Sequence, residues 1–378
     1  MTNDQKYNLI TRNLEEVLTS DELKDLIESG TPLRHYIGLE ISGKAHVGWV
    51  FMMKIFKDLQ EVGVETQVLL ADWHTWLNKK LDGTLETAKR MAKDYFEEAL
   101  KACAFCAGAD PNKINFVLGS ELYEKLGSNY WANVVRVAKT TTLSRMIRST
   151  TIMGRKESEI SDSAMLIYPA MQSADIFALE VNIAHAGTDQ RNVHVVAREA
   201  AQPLGEKKPV AIHHHLLQGL LQPVLVEKNG KKVLDVEATK MSKSKPDSAV
   251  FIHDEPDEIR RKINNAFCPE GEVEFNPILD WVKYLVFYNG VSLSHTRGDI
   301  ASHPGIDIKR EVKHGGDVSY TSYDELEKDY AEKKLHPMDL KMAVAEWLIK
   351  TLEPARKYFE DPKRKKALEE IEQLTKLT

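Results

Sequence analysis

The 378-residue chain has three cysteines, Cys103, Cys106 and Cys268. That is too few for a disulfide framework and fits a reducing compartment. Cys103 and Cys106 form a C-x-x-C without a second pair. They sit in an Ala- and Lys-rich helical pattern and are expected to be buried core thiols rather than zinc ligands or a redox pair. No apolar run is long enough to span a bilayer, and the first residues, MTNDQKYNLITRNLEEV, lack the apolar stretch of a secretion signal. A cytoplasmic location is expected, with no membrane partner. Basic charge is not in excess either: 51 Lys and Arg stand against 57 Asp and Glu, a net charge of −6. A nucleic-acid partner would have to be met by a local patch. There is no internal repeat and no low-complexity segment. With 42% hydrophobic and 29% charged residues, the composition is that of an ordinary folded protein, long enough for two or three domains.

Residues 33–39 (LRHYIGL) read as a short apolar and aromatic strand, 66–71 (TQVLLA) are a continuous apolar run of the kind a strand buried on both faces shows, and 113–118, 181–186 and 209–214 read as further strands. Helical periodicity fills 45–62 and 88–106. Alternating strands and helices predict a parallel α/β sheet of Rossmann type, with ligands at the carboxyl ends of its strands. A helical insertion falls at about 120–180. After Lys240 the strand signal fades, and 255–375 read as helices, two of them opened by Pro256 and Pro337. The reading divides the chain at Asp254 into a catalytic unit, 1–254, and an all-α unit, 255–378.

Residues 240–244, KMSKS, crowd Lys240, Lys243, Ser242 and Ser244 around Met241. Such a run is either a solvated loop or a clamp on a polyphosphate, its ammonium groups and hydroxyls neutralising phosphate oxygens. About two hundred residues earlier, Gly38, Glu40, Ser42 and Gly43 separate a strand from a helix that opens His46-Val47-Gly48-Trp49. Glycines there free backbone N–H groups for an anion, and a His in the first turn can donate to a phosphate. The run 213–215 is three histidines on a strand. Alternation forbids a shared face, so a metal site is not expected, and His213 at best lines a nucleotide site.

Together, H-V-G-W and KMSKS resemble the two signatures of class I aminoacyl-tRNA synthetases, with Trp49 where the first signature ends in His. The runs YIGLEISGKAHVG, LLADWHTWLN, YPAMQSADI, AGTDQRNVHVVARE, NNAFCPEGEVEFNP, HGGD and LHPMDLKMAVAEWLIKTLEPARK are similar, in that order, to tyrosyl enzymes of the archaeal and eukaryotic type. The resemblance implies ATP-dependent attachment of L-tyrosine to tRNA(Tyr) through an adenylate, with Mg²⁺ as the ATP counterion and no DNA partner. It implies a homodimer joined through residues around 120–150. His46, Lys240 and Lys243 would be catalytic. Gly38, Glu40, Gly48, Asp189, Met241, Ser242 and Ser244 would bind ATP.

On a helix, Tyr168, Gln172 and Asp175 share one face at i, i+4 and i+7. The resemblance makes Asp175, with Tyr36, the reader of the substrate phenol. Tyr168, Gln172 and Gln190 would hold the ammonium and carboxylate, and Leu69 and His74 would line the ring. A capped core helix with polar rungs is the plain alternative. For RNA, 136–156 carry Arg136, Lys139, Arg145, Arg148, Arg155 and Lys156 with no acid among the residues of the patch. Arg191 matches a position that reads the acceptor end. His314, His336 and Asp339 match segments that grip the anticodon. Two rivals remain, a tryptophanyl enzyme and a non-catalytic tRNA-binding relative. Asp175 argues against the first, since an indole has no phenol to satisfy, and the intact KMSKS argues against the second.

Overall fold

The computed structural model describes residues 1–155, 157–228, 230–242, 245–288 and 305–376. A six-stranded sheet is built from β1 (Leu14–Leu18), β2 (Arg34–Leu39), β3 (Glu65–Leu70), β4 (Ile114–Leu118), β5 (Ile183–Gly187) and β6 (Val210–His214), in the order β1-β6-β5-β2-β3-β4. Strands β2 to β6 are parallel, as the alternation of strands and helices predicts. The edge strand β1 is antiparallel to β6. Its sequence, LEEVL, has two adjacent acids and is mostly half-exposed, so it carries no run of the buried kind.

Alternation along β2 feeds two cores. Ile37 joins one side, packed by the helices Val47–Glu61 and Glu97–Ala107. Tyr36 joins the other, packed by Ser128–Thr140, Tyr168–Ala178 and Arg191–Leu204. The helix expected at 88–106 runs from Leu85 with one π turn at Ala92–Phe96, and stops where Gly108 takes φ 76°. Cys103 is buried there and Cys106 half-buried, both as free thiols.

Beyond residue 254 the helices Pro256–Asn265, Tyr323–Ala331, Pro337–Tyr358 and Pro362–Thr375 form as expected. Two short antiparallel ribbons are unexpected, one before residue 240 and one within 255–378, where it corrects the all-α reading. β7 (Leu225–Lys228) pairs with β8 (Lys231–Leu234), and β9 (Ile306–Ile308) with β10 (Val318–Tyr320). Strands of three or four residues are too short to show a period. The apolar core does not pause at residue 254. It continues from the sheet into the Pro337–Tyr358 helix, which packs on Glu97–Ala107 and on Pro256–Asn265.

At that crossing Lys262 is buried, its Nζ 2.6 Å from Asp254 Oδ2, which also accepts from Phe251 N at 2.9 Å. Removing one member of a buried pair strands the other charge. Asp254→Ala is expected to lower unfolding free energy by about 3–5 kcal/mol, read from the urea midpoint. The double change Asp254→Leu with Lys262→Leu should recover most of it, and a single variant as stable as the parent would contradict the pairing.

Candidate active site

Between β2 and β5 the strand order reverses, because β3 and β4 build away on one side and β6 on the other. The carboxyl ends of β2 and β5 therefore diverge and leave a crevice. A cleft of about 540 Å³ opens there. It brings together Tyr36, Gly38, Glu40, His46, Gly48, Leu69, His74, Tyr168, Gln172, Asp175, Asp189, Gln190, Lys240, Met241 and Ser242.

One end of the cleft is a slot floored by polar groups. Asp175 is fully buried, and its Oδ1 accepts from Tyr130 Oη at 2.8 Å. Among the described residues its Oδ2 has no hydrogen-bond partner, and it lies 3.6 Å from His74 Nε2. Burial pushes the Asp175 carboxyl up to about 7, against the hydrogen bond from Tyr130. Burial also drops His74 to about 3, so the two are a neutral imidazole beside a carboxyl and not an ion pair. The Tyr36 phenol is raised by burial and then by the Asp175 charge. The His74 ring stands edge-on to Tyr168, centroids 4.5 Å apart. Higher up, Gln172 Nε2 donates to Gln190 Oε1 at 3.2 Å, and Gln190 Nε2 donates to Ile152 O at 3.0 Å. Gln172 Oε1 is buried without a partner. Unpaired buried acceptors at both levels suit a ligand with a hydroxyl at one end and an ammonium at the other.

The other end belongs to the two signature segments. His46 is the N-cap of the Val47–Glu61 helix, and its Nδ1 accepts from Gly48 N at 3.2 Å. That bond leaves the neutral ring's proton on Nε2. A Cβ on Gly48 would stand 2.9 Å from both the His46 ring and the Met241 methyl, so glycine lets these two side chains lie over the helix start without shifting. Trp49 lines the cleft and packs on Phe96 at 4.7 Å. Asn78 Nδ2 donates to Glu40 Oε1 at 2.7 Å. Lys240 Nζ lies 3.9 Å from Asp189 Oδ2. Ser248 closes the loop base, accepting from Ser242 N at 2.8 Å and donating to Lys245 O at 2.7 Å. Lys243 and Ser244 lie outside the described residues.

The histidine run faces three ways. His213 points away from the cleft, to His194 Nδ1 at 3.0 Å and to Glu16, which corrects its placement at the nucleotide site. His214 and His215 line the cleft instead. His214 continues a buried string, Nδ1 to His185 Nε2 at 2.8 Å and His185 Nδ1 to His35 Nε2 at 2.9 Å. Among the described residues no group of three side chains could hold a metal ion.

The basic patch is thinner than its sequence suggests, because acids arrive from other elements. Arg145 is paired with Glu199, and Arg191 with Glu16 at 2.9 Å. Arg155 turns inward, donating to Asn78 Oδ1 at 2.6 Å. Arg148 is exposed, and Lys156 lies outside the described residues. His336 caps the Pro337–Tyr358 helix, accepting from Met338 N at 3.2 Å, and Asp339 lies in its first turn. His314 ends the short turn Val312–His314. His336 and Asp339 do not line the cleft. Sequence reasoning missed Tyr130, Asn78 and His215, whose partners lie tens to hundreds of residues away, and Ser248, whose partners are the backbone groups of its own loop.

Residues 28–353 match a family model described as tRNA synthetases class I (W and Y). A tyrosine–tRNA ligase of Thermococcus sibiricus is 50% identical over 370 residues, covering 94% of this chain and 95% of that one. A tyrosyl-tRNA synthetase of Pyrococcus horikoshii, solved with L-tyrosine, is 47% identical with a TM-score of 0.88, covering 99% of this chain and 100% of that one. A tryptophanyl-tRNA synthetase of Aeropyrum pernix shares the fold, at 18% identity and a TM-score of 0.64, over 94% of this chain and 84% of that one.

Because the Asp175 pKa is raised from 3.8 to about 7, the folded state holds that proton more tightly than the unfolded chain. The stability this contributes is complete below pH 4 and is lost as pH rises through 7. Melting temperatures of the parent, compared with Asp175→Asn from pH 4 to pH 8, should fall relative to the variant as pH rises. The difference cancels the buried histidines, which titrate in both. A constant difference would show that the carboxyl is held ionised.

Proposed function

The chain belongs to the class I tRNA synthetases of the tryptophan and tyrosine type, and from that membership we infer that it is a tyrosine–tRNA ligase. It uses ATP to join L-tyrosine to tRNA(Tyr). The observation that carries the choice of tyrosine is the slot's floor, where the unpaired Oδ2 of Asp175 and the phenol of Tyr36 are buried together. An indole N–H can donate to the carboxyl oxygen but offers no acceptor to the Tyr36 hydroxyl, whereas a phenol donates to one and accepts from the other. The identity to tyrosine enzymes, 50% over 94% of the chain, points the same way.

In this reading Tyr36 and Asp175 take the phenol, while Leu69 and His74 flank the ring. Tyr168, Gln172 and Gln190 hold the ammonium and carboxylate. The carboxylate then lies toward the signature segments and attacks the α-phosphate of ATP in line. Gly38, Glu40, Gly48 and Asp189 border the nucleoside, with Met241, Ser242 and Ser244 on the loop side. His46, Lys240 and Lys243 place positive charge or donors on the leaving pyrophosphate. Catalysis of this kind rests on position and electrostatics, without a covalent enzyme intermediate. Mg²⁺ enters with ATP, held by phosphate oxygens and water. The terminal ribose hydroxyl of the tRNA next takes the tyrosyl group.

Residues 1–254 carry this chemistry, and 255–378 present His314, His336 and Asp339 to the anticodon. Arg145, Arg148 and Arg191 meet the acceptor end, Arg145 and Arg191 by exchanging a carboxylate partner for phosphate or base. A homodimer through 120–150 is supported by the exposed Val135 and Leu143. Among the described residues no helix is long and apolar enough to cross a membrane, which accords with a cytoplasmic enzyme.

Tyrosine-dependent pyrophosphate exchange tests the assignment, with tryptophan and phenylalanine as competitors. Exchange driven equally by tryptophan would refute it. Replacing Asp175 by Ala together with Tyr36 by Leu should narrow the tyrosine-to-phenylalanine ratio of kcat/KM by about tenfold or more, at about 1–3 kcal/mol for each group no longer left unpaired. Lys240→Ala should slow exchange by about 10²-fold while leaving the tyrosine dissociation constant unchanged, as loss of a transition-state contact does. Equal losses in binding and rate would assign Lys240 to substrate binding.

A further inference from the structure

We propose that Asp280 and Trp281 are positioning residues for tyrosine activation, acting through the backbone of Gln218 on the base of the Lys240 loop. The proposal rests on the ligase reading above and adds to it a part that no signature motif contains.

After β6 the chain runs as an extended strip through Gln218, Gly219 and Leu220. One edge of the strip is tied to the second half of the chain. Gln218 N donates to Asp280 Oδ2 at 2.9 Å, and Gln218 O accepts from Trp281 Nε1 at 2.7 Å. Leu220 O accepts from Phe267 N at 2.8 Å. The opposite edge carries both ends of the signature loop. Gln218 and Lys240 form an antiparallel bridge. Gly219 N donates to Thr239 O at 2.8 Å, and Leu220 N donates to Ser248 O at 2.9 Å. A Cβ on Gly219 would stand 2.7 Å from Thr239 O, a backbone atom, so the strip and the loop base are closer than any other residue permits.

Two consecutive side chains thus hold both backbone polar groups of one residue, which fixes its orientation as well as its place. The grip is itself anchored. Trp281 is fully buried. The second oxygen of Asp280 takes His215 Nε2 at 2.7 Å, and His215 Nδ1 lies 3.0 Å from Glu15. The His215 ring stacks on Tyr284 at 4.0 Å. The groups facing this imidazole are thus Glu15, Asp280 and Tyr284. Although burial opposes its charge, the two carboxylates hold it up to about 9. A link in this chain that slackens lets the Lys240 backbone drift. In-line transfer tolerates such drift poorly, since about 1 Å of misplacement costs up to about 10²-fold in rate.

The test is Trp281→Phe, which keeps an aromatic ring in the core and deletes the N–H. Pyrophosphate exchange at saturating tyrosine and ATP should fall about 10- to 100-fold, with the tyrosine dissociation constant, measured calorimetrically, within about twofold of the parent. Asp280→Asn, which keeps an acceptor for Gln218 N, should retain more rate than Asp280→Leu. An exchange rate in Trp281→Phe equal to the parent's overturns the proposal. So does a rate loss matched by an equal loss of tyrosine affinity, which would mark a residue that only holds the fold. A parent without tyrosine-dependent exchange fails earlier, at the ligase reading, and takes the proposal with it.

Discussion

Everything in the cleft depends on a short antiparallel pairing between two segments two hundred residues apart. Val47 N donates to Val250 O at 2.9 Å, Ile252 N donates to Ala45 O at 3.1 Å, and His46 bridges Phe251. The turn that starts the first long helix and the segment that leaves the signature loop are therefore one piece of backbone structure. Gly48 and Met241 touch across it, closely enough that a methyl on the glycine would collide. An anion placed between a helix N-terminus and a lysine loop then meets both at once, without either segment having to search for the other.

The slot works by the opposite means. Where the nucleotide end gathers charge, the amino-acid end removes it. Burial neutralises His74 and half-neutralises Asp175 near pH 7. A carboxyl poised in this way, one oxygen held by Tyr130 and the other unpaired, is a stiff acceptor whose alignment does not depend on a counterion. The string of His214, His185 and His35 pairs its rings in sequence from the cleft into the other side of the sheet.

Strands β2 to β6 could be read from the sequence because each carries a short apolar stretch that packs into the cores, as Val68, Leu69 and Leu70 do in β3. β1 could not, because an edge strand with adjacent acids looks like a solvated loop, and the two ribbons are shorter than any period. The slot was legible where its residues share a helix, as Tyr168, Gln172 and Asp175 do, and where the resemblance to tyrosyl enzymes supplied partners. Tyr130 escaped because it meets Asp175 only through packing. Gln218 escaped because it acts through backbone groups that any residue possesses, and Ser248 because its hydroxyl meets only backbone groups, which leave no mark in the sequence. The histidine run shows the limit of alternation: it tells that neighbours face apart, but not which one faces the cleft. Arg155 was misread for the same reason, since nothing local says that a guanidinium turns inward to Asn78.

The edge strand also sets an order of events. Its backbone partner is β6, and the acids it carries, Glu15 and Glu16, find His215, Tyr284, Arg191 and His213. None of these exists when residues 14–18 leave the ribosome. Residues 14–18 must therefore wait until some two hundred further residues have been added, and their last side-chain partner appears only with Tyr284. Two neighbouring carboxylates in an otherwise apolar strand keep it soluble through that wait and later become its fastenings.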